Sequence, residues 1–274
     1  MKNKISVIIS TYNQPQWLEK VLWGYHVQTF QDFELVIADD GSGEETQKLI
    51  TRIQPQLNYT LKHIWQEDNG FQKSQILNKA IVATGTDYIL MSDGDCIPRA
   101  DFVAVHLKER EKGRFLSGGY FMLPEQTSHA IQKEDILNQN CFDLQWLKRN
   151  GLSSTFKNMK LIHNKAILSI LNTATPTKPT WNGHNASGWK EDIINANGFD
   201  ERMQYGGQDR ELGERLENAG VKGKQIRYKA ICIHLDHPRG YANEKSWAIN
   251  NEIRKNTRTT GVLKTPHGIS KISS

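Results

Sequence analysis

Two rhythms of apolar positions alternate through the first hundred residues. Ile5-Ser6-Val7-Ile8-Ile9 is a short β-branched run, and behind Asn13 and Pro15 the positions Leu18, Val21, Leu22 and Tyr25 recur at three- and four-residue spacing. This predicts strand, loop and helix. The unit returns with Glu34-Leu35-Val36-Ile37-Ala38, the turn Asp39-Asp40-Gly41-Ser42-Gly43 and a helix through Leu49 and Ile53. A third pass runs from Leu61 to Trp65, then places Ile76, Leu77, Ala80 and Ile81 on one helical face, and Asp87-Tyr88-Ile89-Leu90-Met91 follows as a fourth strand. Strands alternating with crossover helices predict an α/β fold with a doubly wound, mostly parallel sheet, whose ligand sits at the carboxyl ends of the strands.

The pattern changes at about residue 115. Residues 115–190 are irregular, and the Thr/Pro stretch 172–179 predicts a surface loop. Regularity returns at residues 209–219, where Leu212, Leu216 and Ala219 share a helical face that stops at Gly220. Residues 226–233 then predict a strand leading into His234-Leu235-Asp236-His237-Pro238. No internal repeat interrupts this order.

Composition narrows the class. A chain of 274 residues with 37% apolar content can bury a full core. No apolar run reaches the roughly 18 to 20 residues of a membrane span, and Met1-Lys2-Asn3-Lys4-Ile5 leads straight into the first strand, so the expected location is cytoplasmic. Three widely spaced cysteines, Cys96, Cys141 and Cys232, argue against a disulfide framework or a structural zinc site. The net charge is +5, with an excess that gathers late at Lys222, Lys224, Arg227, Lys229, Arg239, Arg254, Lys255, Arg258, Lys264 and Lys271. Such a surface is either simply solvated or attracted to anionic headgroups and phosphorylated substrates, giving peripheral contact with an inner membrane. The basic positions carry no aromatic stacking pattern or recognition motif, which excludes nucleic acid as the expected partner.

Candidate chemistry lies after the predicted strands. Asp93-Gly94-Asp95 stands at the carboxyl end of the fourth, where two carboxylates can hold a divalent cation with hard oxygen ligands and leave room for a diphosphate. A polar turn would use the same residues. Asp209 follows Gly206-Gly207 at a predicted helix start, which suits either a helix cap or a carboxylate base.

Three blocks carry a resemblance: Val7-Ile8-Ile9-Ser10-Thr11-Tyr12-Asn13, the run from Gln28 through Asp39-Asp40-Gly41-Ser42, and Asp87 through Asp93-Gly94-Asp95. In order and spacing they resemble the successive signatures of glycosyltransferase family 2, inverting enzymes of GT-A fold. Asn197-Gly198-Phe199-Asp200-Glu201, Tyr205-Gly206-Gly207-Gln208-Asp209 and Arg215-Leu216 resemble the galactosyltransferase-type domain of chondroitin-polymerase-like and β-1,4-galactosyltransferase-like enzymes. The resemblance implies a nucleotide-sugar-binding half at 1–115, an acceptor-binding and catalytic half at 116–240 and a basic tail at 241–274. It implies transfer from a nucleotide-sugar donor, a UDP-sugar, to a glycan or glycolipid acceptor in bacterial surface polysaccharide or lipopolysaccharide assembly.

The same resemblance distributes roles. Ser10 and Tyr12 border the base, Asp40 accepts the imino hydrogen of uracil, Lys73 lies near the diphosphate, Asp93 faces the ribose and Asp95 holds the metal. His234 is the third element of the metal site, with His237 as its alternative, and imidazole beside carboxylate favours Mn²⁺ over an all-oxygen Mg²⁺ cage. Asp209 is the expected base, with Asp200, Glu201 and Glu211 behind it. Asn185 contacts the donor sugar or the acceptor, and Trp181 and Trp189 either stack on sugar or lie in the core. A catalytically inactive glycan- or nucleotide-sugar-binding protein on the same fold is the alternative function. A nucleotidyltransferase or a dinucleotide oxidoreductase would need a glycine-rich loop after the first strand, where this chain has Ser10-Thr11-Tyr12-Asn13-Gln14-Pro15.

Overall fold

The computed structural model describes residues 4–162, 164–237 and 244–271. Strands follow in chain order as β1 (Ile5–Thr11), β2 (Phe33–Asp39), β3 (Thr60–Trp65), β4 (Tyr88–Asp93), β5 (Cys96–Pro98), β6 (Arg114–Ser117), β7 (Gly119–Met122), β8 (Asn185–Trp189), β9 (Lys222–Gln225) and β10 (Ile231–His234). Seven form one sheet in the order β3-β2-β1-β4-β8-β6-β9, and β5-β10-β7 form a second. The pairs β1/β2, β2/β3 and β1/β4 are parallel, as the repeated strand-helix rhythm predicts.

Each central strand is buried on both faces, which explains why it reads as a continuous apolar run. Val7 and Ile9 enter one core while Ile8 enters the other, the alternation that a pleated strand imposes. Helix Pro15–His26 opens on proline and covers the first face with Leu18, Val21, Leu22 and Tyr25. Helix Lys73–Ala83 covers the second with Ile76, Leu77, Ala80 and Ile81. All three cysteines are buried and unpaired. Among the described residues no helix is long and apolar enough to cross a membrane.

Strand β8 lies antiparallel between β4 and β6, in a central sheet whose other pairs, β6/β9 included, are parallel, so the sheet is mostly parallel as expected. Two expectations are corrected in the second half. The predicted strand at 226–233 is shortened: β9 ends at Gln225, the amides of Lys229 and Ala230 both donate to Ile226 O in a turn, and β10 starts only at Ile231, in the other sheet. Helix Lys165–Ala174 occupies the start of the predicted loop at 172–179. Residue 115 lies in β6, which belongs to the central sheet together with strands from the first hundred residues.

The basic tail is also packed. Helix Glu244–Thr260 lies along helix Gln208–Asn218, with Thr257 Oγ1 donating to Glu211 Oε1 at 2.8 Å and Arg254 and Arg258 both on Glu214, at 2.6 and 3.2 Å. Lys224 and Lys229 likewise meet Glu109, at 3.2 and 2.9 Å. Much of the late positive charge is therefore balanced within the fold. Arg239 lies outside the described residues.

Candidate active site

The site is built where β1, β2 and β4 end. Ser10 is in register with both Ala38 and Asp93, and the turn after β4 is tied on two sides. The Gly94 amide donates to Ser10 O at 2.8 Å, and Asp95 O accepts the Leu235 amide at 2.9 Å. The second bond sets Asp95 beside the segment that leaves β10. His237 Nε2 lies 2.8 Å from Asp95 Oδ2 and His234 Nε2 lies 3.7 Å from the same oxygen. The two imidazoles are stacked, with centroids 5.9 Å apart.

One oxygen and two nitrogens, all within 4.8 Å of one another, form a donor set able to hold a metal ion. His234 Nδ1 is 2.8 Å from Leu235 O. A carbonyl can only accept, so Nδ1 carries the hydrogen and the lone pair of the neutral ring is on Nε2, the atom facing Asp95. The residues thus fit a divalent cation of mixed nitrogen and oxygen preference such as Mn²⁺. Both histidines that the sequence offered as alternatives join this cluster.

Charge is balanced around the cluster. Burial would raise Asp95, but the His237 hydrogen bond and the two nearby imidazoles hold its carboxyl well below the usual range. Burial would likewise raise Asp93, and the charge of Lys73 overcomes it. Asp93 Oδ1 accepts from both Ser10 Oγ and Lys73 Nζ, each at 2.7 Å. Against the pull of burial, Asp93, Asp95 and Asp209 together raise Lys73 above its ordinary value. Asp209 also acts on His184, which burial keeps below the usual imidazole range. These groups, far apart in sequence, share one electrostatic site.

Asp40, buried just after β2, lies close enough to Lys73 to feel its charge. Its Oδ1 accepts from Gln66 Nε2 at 2.7 Å and its Oδ2 from the Gln72 amide at 2.9 Å. Burial nevertheless pushes its pKa up to about 6, with those two bonds opposing. Gly41 has φ +95°, and a Cβ there would stand 2.6 Å from Asp68 Cα, so glycine lets the 66–72 loop close on Asp40. Tyr12, 44% exposed, reaches the same loop through its hydroxyl, which donates to Asp68 Oδ2 at 2.8 Å.

Asp209 is not the helix cap. Gly207, at φ +83°, is the N-cap of helix Gln208–Asn218 and Asp209 stands in the first turn. Its Oδ2 accepts the Gly183 amide at 3.0 Å and its Oδ1 the Arg210 amide at 2.8 Å. The other acidic candidates are engaged structurally. Asp200 is buried on Arg202 and Thr265, Glu201 accepts from Asn78, and Glu211 is paired with the fully buried Arg215 at 2.7 Å. Gly206 packs under Trp247 of the C-terminal helix.

Asn185 lies in the core. It is 0% exposed, its Oδ1 meets His106 Nε2 at 2.9 Å, and its Nδ2 donates to Gly119 O and Ala230 O at 2.7 and 3.1 Å. The side chain fastens β8 to the second sheet. Trp181 is wholly buried, and Trp189 pairs with Tyr88 at the opposite end of β4 from the site. The residues missed are His184, one position before Asn185, and Tyr120. The Tyr120 ring stands 4.6 Å from that of His184 and 5.7 Å from that of His234.

The model of glycosyl transferase family 2 matches residues 6–167. The chain belongs to glycosyltransferase family 2. This family 2 chain is 25% identical over 263 residues to a chondroitin synthase of Escherichia coli, covering 91% of this chain and 37% of that protein. It is 26% identical over 253 residues to a hyaluronan synthase of Pasteurella multocida, covering 88% and 25%. It therefore spans between a quarter and two fifths of the length of these two relatives. Two solved structures show the fold. Staphylococcus aureus TarS 1-349 in complex with UDP-GlcNAc has a TM-score of 0.62 at 16% identity, covering 98% of this chain and 69% of that one. The mannosyltransferase PcManGT of Pyrobaculum calidifontis, in complex with GDP-Man and Mn²⁺, has a TM-score of 0.58 at 17% identity, covering 92% and 61%. The mixed α/β architecture of the family 2 chain is the GT-A fold.

Proposed function

We propose that the chain transfers a glycosyl group from a UDP-sugar to a hydroxyl of a glycan or glycolipid acceptor, with inversion at the anomeric carbon. The observation that carries this reading is the convergence of Asp95, His234 and His237 with Lys73 and Asp209, with buried Asp40 near Lys73. Asp95, His234 and His237 would hold a divalent cation, Mn²⁺ or Mg²⁺, which would supply Lewis-acid stabilisation of charge on the diphosphate. Lys73 adds a fixed positive charge beside Asp93, the carboxylate assigned to the ribose. Asp209 accepts the proton of the acceptor hydroxyl as the new carbon–oxygen bond forms and UDP leaves with the electron pair of the bond it loses. The chondroitin and hyaluronan synthase relatives support a glycan acceptor and polysaccharide assembly. Residues 1–115 would serve the donor and 116–240 the acceptor, and a cytoplasmic setting suits a nucleotide-sugar donor.

The neighbours carry both UDP- and GDP-sugars, so the base must be tested directly. Buried, ionised Asp40 is stabilised by a further donor, and the imino N–H of uracil is one. Calorimetry should give tighter binding of UDP than of GDP, by about tenfold or more. That preference should shrink as pH falls through about 6, where Asp40 takes up a proton. Using the ratio cancels titration of the diphosphate, which both ligands share. Equal affinity for UDP and GDP at pH 7 would remove the uracil assignment. The sign for stability is opposite: a carboxyl raised in the fold favours folding below its unfolded value near 3.8, and that contribution is lost as pH rises through about 6.

A further inference from the structure

From residue 144 to residue 190 the sequence contains no Asp or Glu, while Lys148, Arg149, Lys157, Lys160, Lys165, Lys178 and Lys190 are all basic. The same stretch holds the two most exposed large apolar side chains among the described residues, Phe156 at 82% and Ile170 at 66%. Met159 and Ile167 are also exposed. Their spacing is regular. In the 3₁₀ turn Phe156–Leu161, Asn158 and Leu161 are buried while Phe156 and Met159, three residues apart, face outward together. Helix Lys165–Ala174 buries Leu168 and turns Ile167 and Ile170 out. Two consecutive elements thus each turn an apolar pair outward within a stretch of sequence free of acidic residues, and both lie beside segment 225–227, where Asn172 Nδ2 donates to Gln225 O and Arg227 acts on Lys160; together the two pairs are the apolar ridge.

We propose that this ridge docks the protein on an anionic lipid bilayer, with Phe156, Met159, Ile167 and Ile170 entering the boundary between headgroups and acyl chains and the flanking cations meeting the headgroups. An exposed apolar cluster marks an interaction surface, and apolar side chains combined with clustered Lys and Arg are what an anionic membrane interface binds. A second copy of the chain is a poor occupant, since self-association would bring basic surfaces together. Lys157 and Arg227 already press on Lys160, whose ammonium burial and those charges hold below its ordinary value.

The ridge is also joined to the site. Lys160 Nζ donates to Tyr120 O at 3.0 Å, and Tyr120 packs on His184 and His234. A docked ridge therefore sets the His184/His234 side of the cleft near the bilayer, where the glycan of a lipid-linked acceptor would enter. That consequence for the acceptor rests on the transferase reading; membrane binding itself does not.

The test is co-sedimentation with vesicles of phosphatidylglycerol and phosphatidylcholine in equal parts, against phosphatidylcholine alone, with calorimetric UDP affinity measured in parallel. Wild type should sediment with the anionic vesicles and release with salt. The double variant Phe156→Ser, Ile170→Ser should bind them at least tenfold more weakly with unchanged UDP affinity, and Phe156→Trp should retain binding. Lys157→Gln should weaken binding several-fold and reduce its salt dependence. Wild type that ignores anionic vesicles, or a double variant that binds as wild type does, overturns the proposal. So does a dimer in solution that the double substitution dissociates, which would assign the ridge to a second copy. UDP binding read on the same samples separates failure here from failure of the transferase reading.

Discussion

Asp95→Ala should lower kcat by about a thousandfold or more, corresponding to several kcal/mol of lost transition-state stabilisation. Asp95 supplies the carboxylate of a cluster whose other members are two imidazoles. Without it, His234 and His237 would offer two neutral nitrogens and no opposing charge to a dication. The local fold should survive, because the bond that ties the turn to the segment after β10 is made by the backbone oxygen of Asp95. Thermal melting gives the matching readout. Mn²⁺ should raise the melting temperature of wild type by mass action and leave that of Asp95→Ala unchanged. A variant with turnover within tenfold of wild type at saturating Mn²⁺ would exclude Asp95 as a ligand.

Asp209→Asn should reduce turnover by roughly a hundredfold or more while leaving donor affinity in place. Asparagine matches aspartate in size and keeps one oxygen for the Gly183 amide, but it cannot take a proton. The carboxylate accepts from two amides, Gly183 and Arg210, and asparagine can serve only one of them well. A fall of about 1 kcal/mol in stability, roughly 2 to 4 °C in melting temperature, is therefore expected alongside the catalytic loss. Near-normal turnover at saturating donor and acceptor would return Asp209 to a purely structural role at the helix start.

What the sequence made legible, and what it hid, follows from the physics of each element. Strands β1, β2 and β4 were visible because parallel interior strands are apolar on both faces, and the Asp93-Gly94-Asp95 turn was visible because it interrupts such a run. Strand β8 was hidden because Asn185-Ala186-Ser187-Gly188-Trp189 has no β-branched residue; its burial comes from neighbours that a local pattern cannot reveal. The surroundings of its first residue were hidden for the same reason: His184 stands in the turn before β8 and feels the charges of Asp93 and Asp209, while Asn185 opens the strand and fastens two sheets. The joint role of His234 and His237 was equally out of reach. It depends on the bond from the Leu235 amide to Asp95 O, which joins segments 140 residues apart. Conversely, Asp209 could be separated from Asp200, Glu201 and Glu211 only once their partners were visible.

The account stands most directly on one assay of the wild-type chain: release of nucleoside diphosphate from UDP-sugars and GDP-sugars, with Mn²⁺ and again after chelation and dialysis. It predicts release of UDP from at least one UDP-sugar in Mn²⁺, loss of that activity in chelator and its return when Mn²⁺ is restored. Full activity in excess chelator, or turnover of GDP-sugars alone, would contradict it.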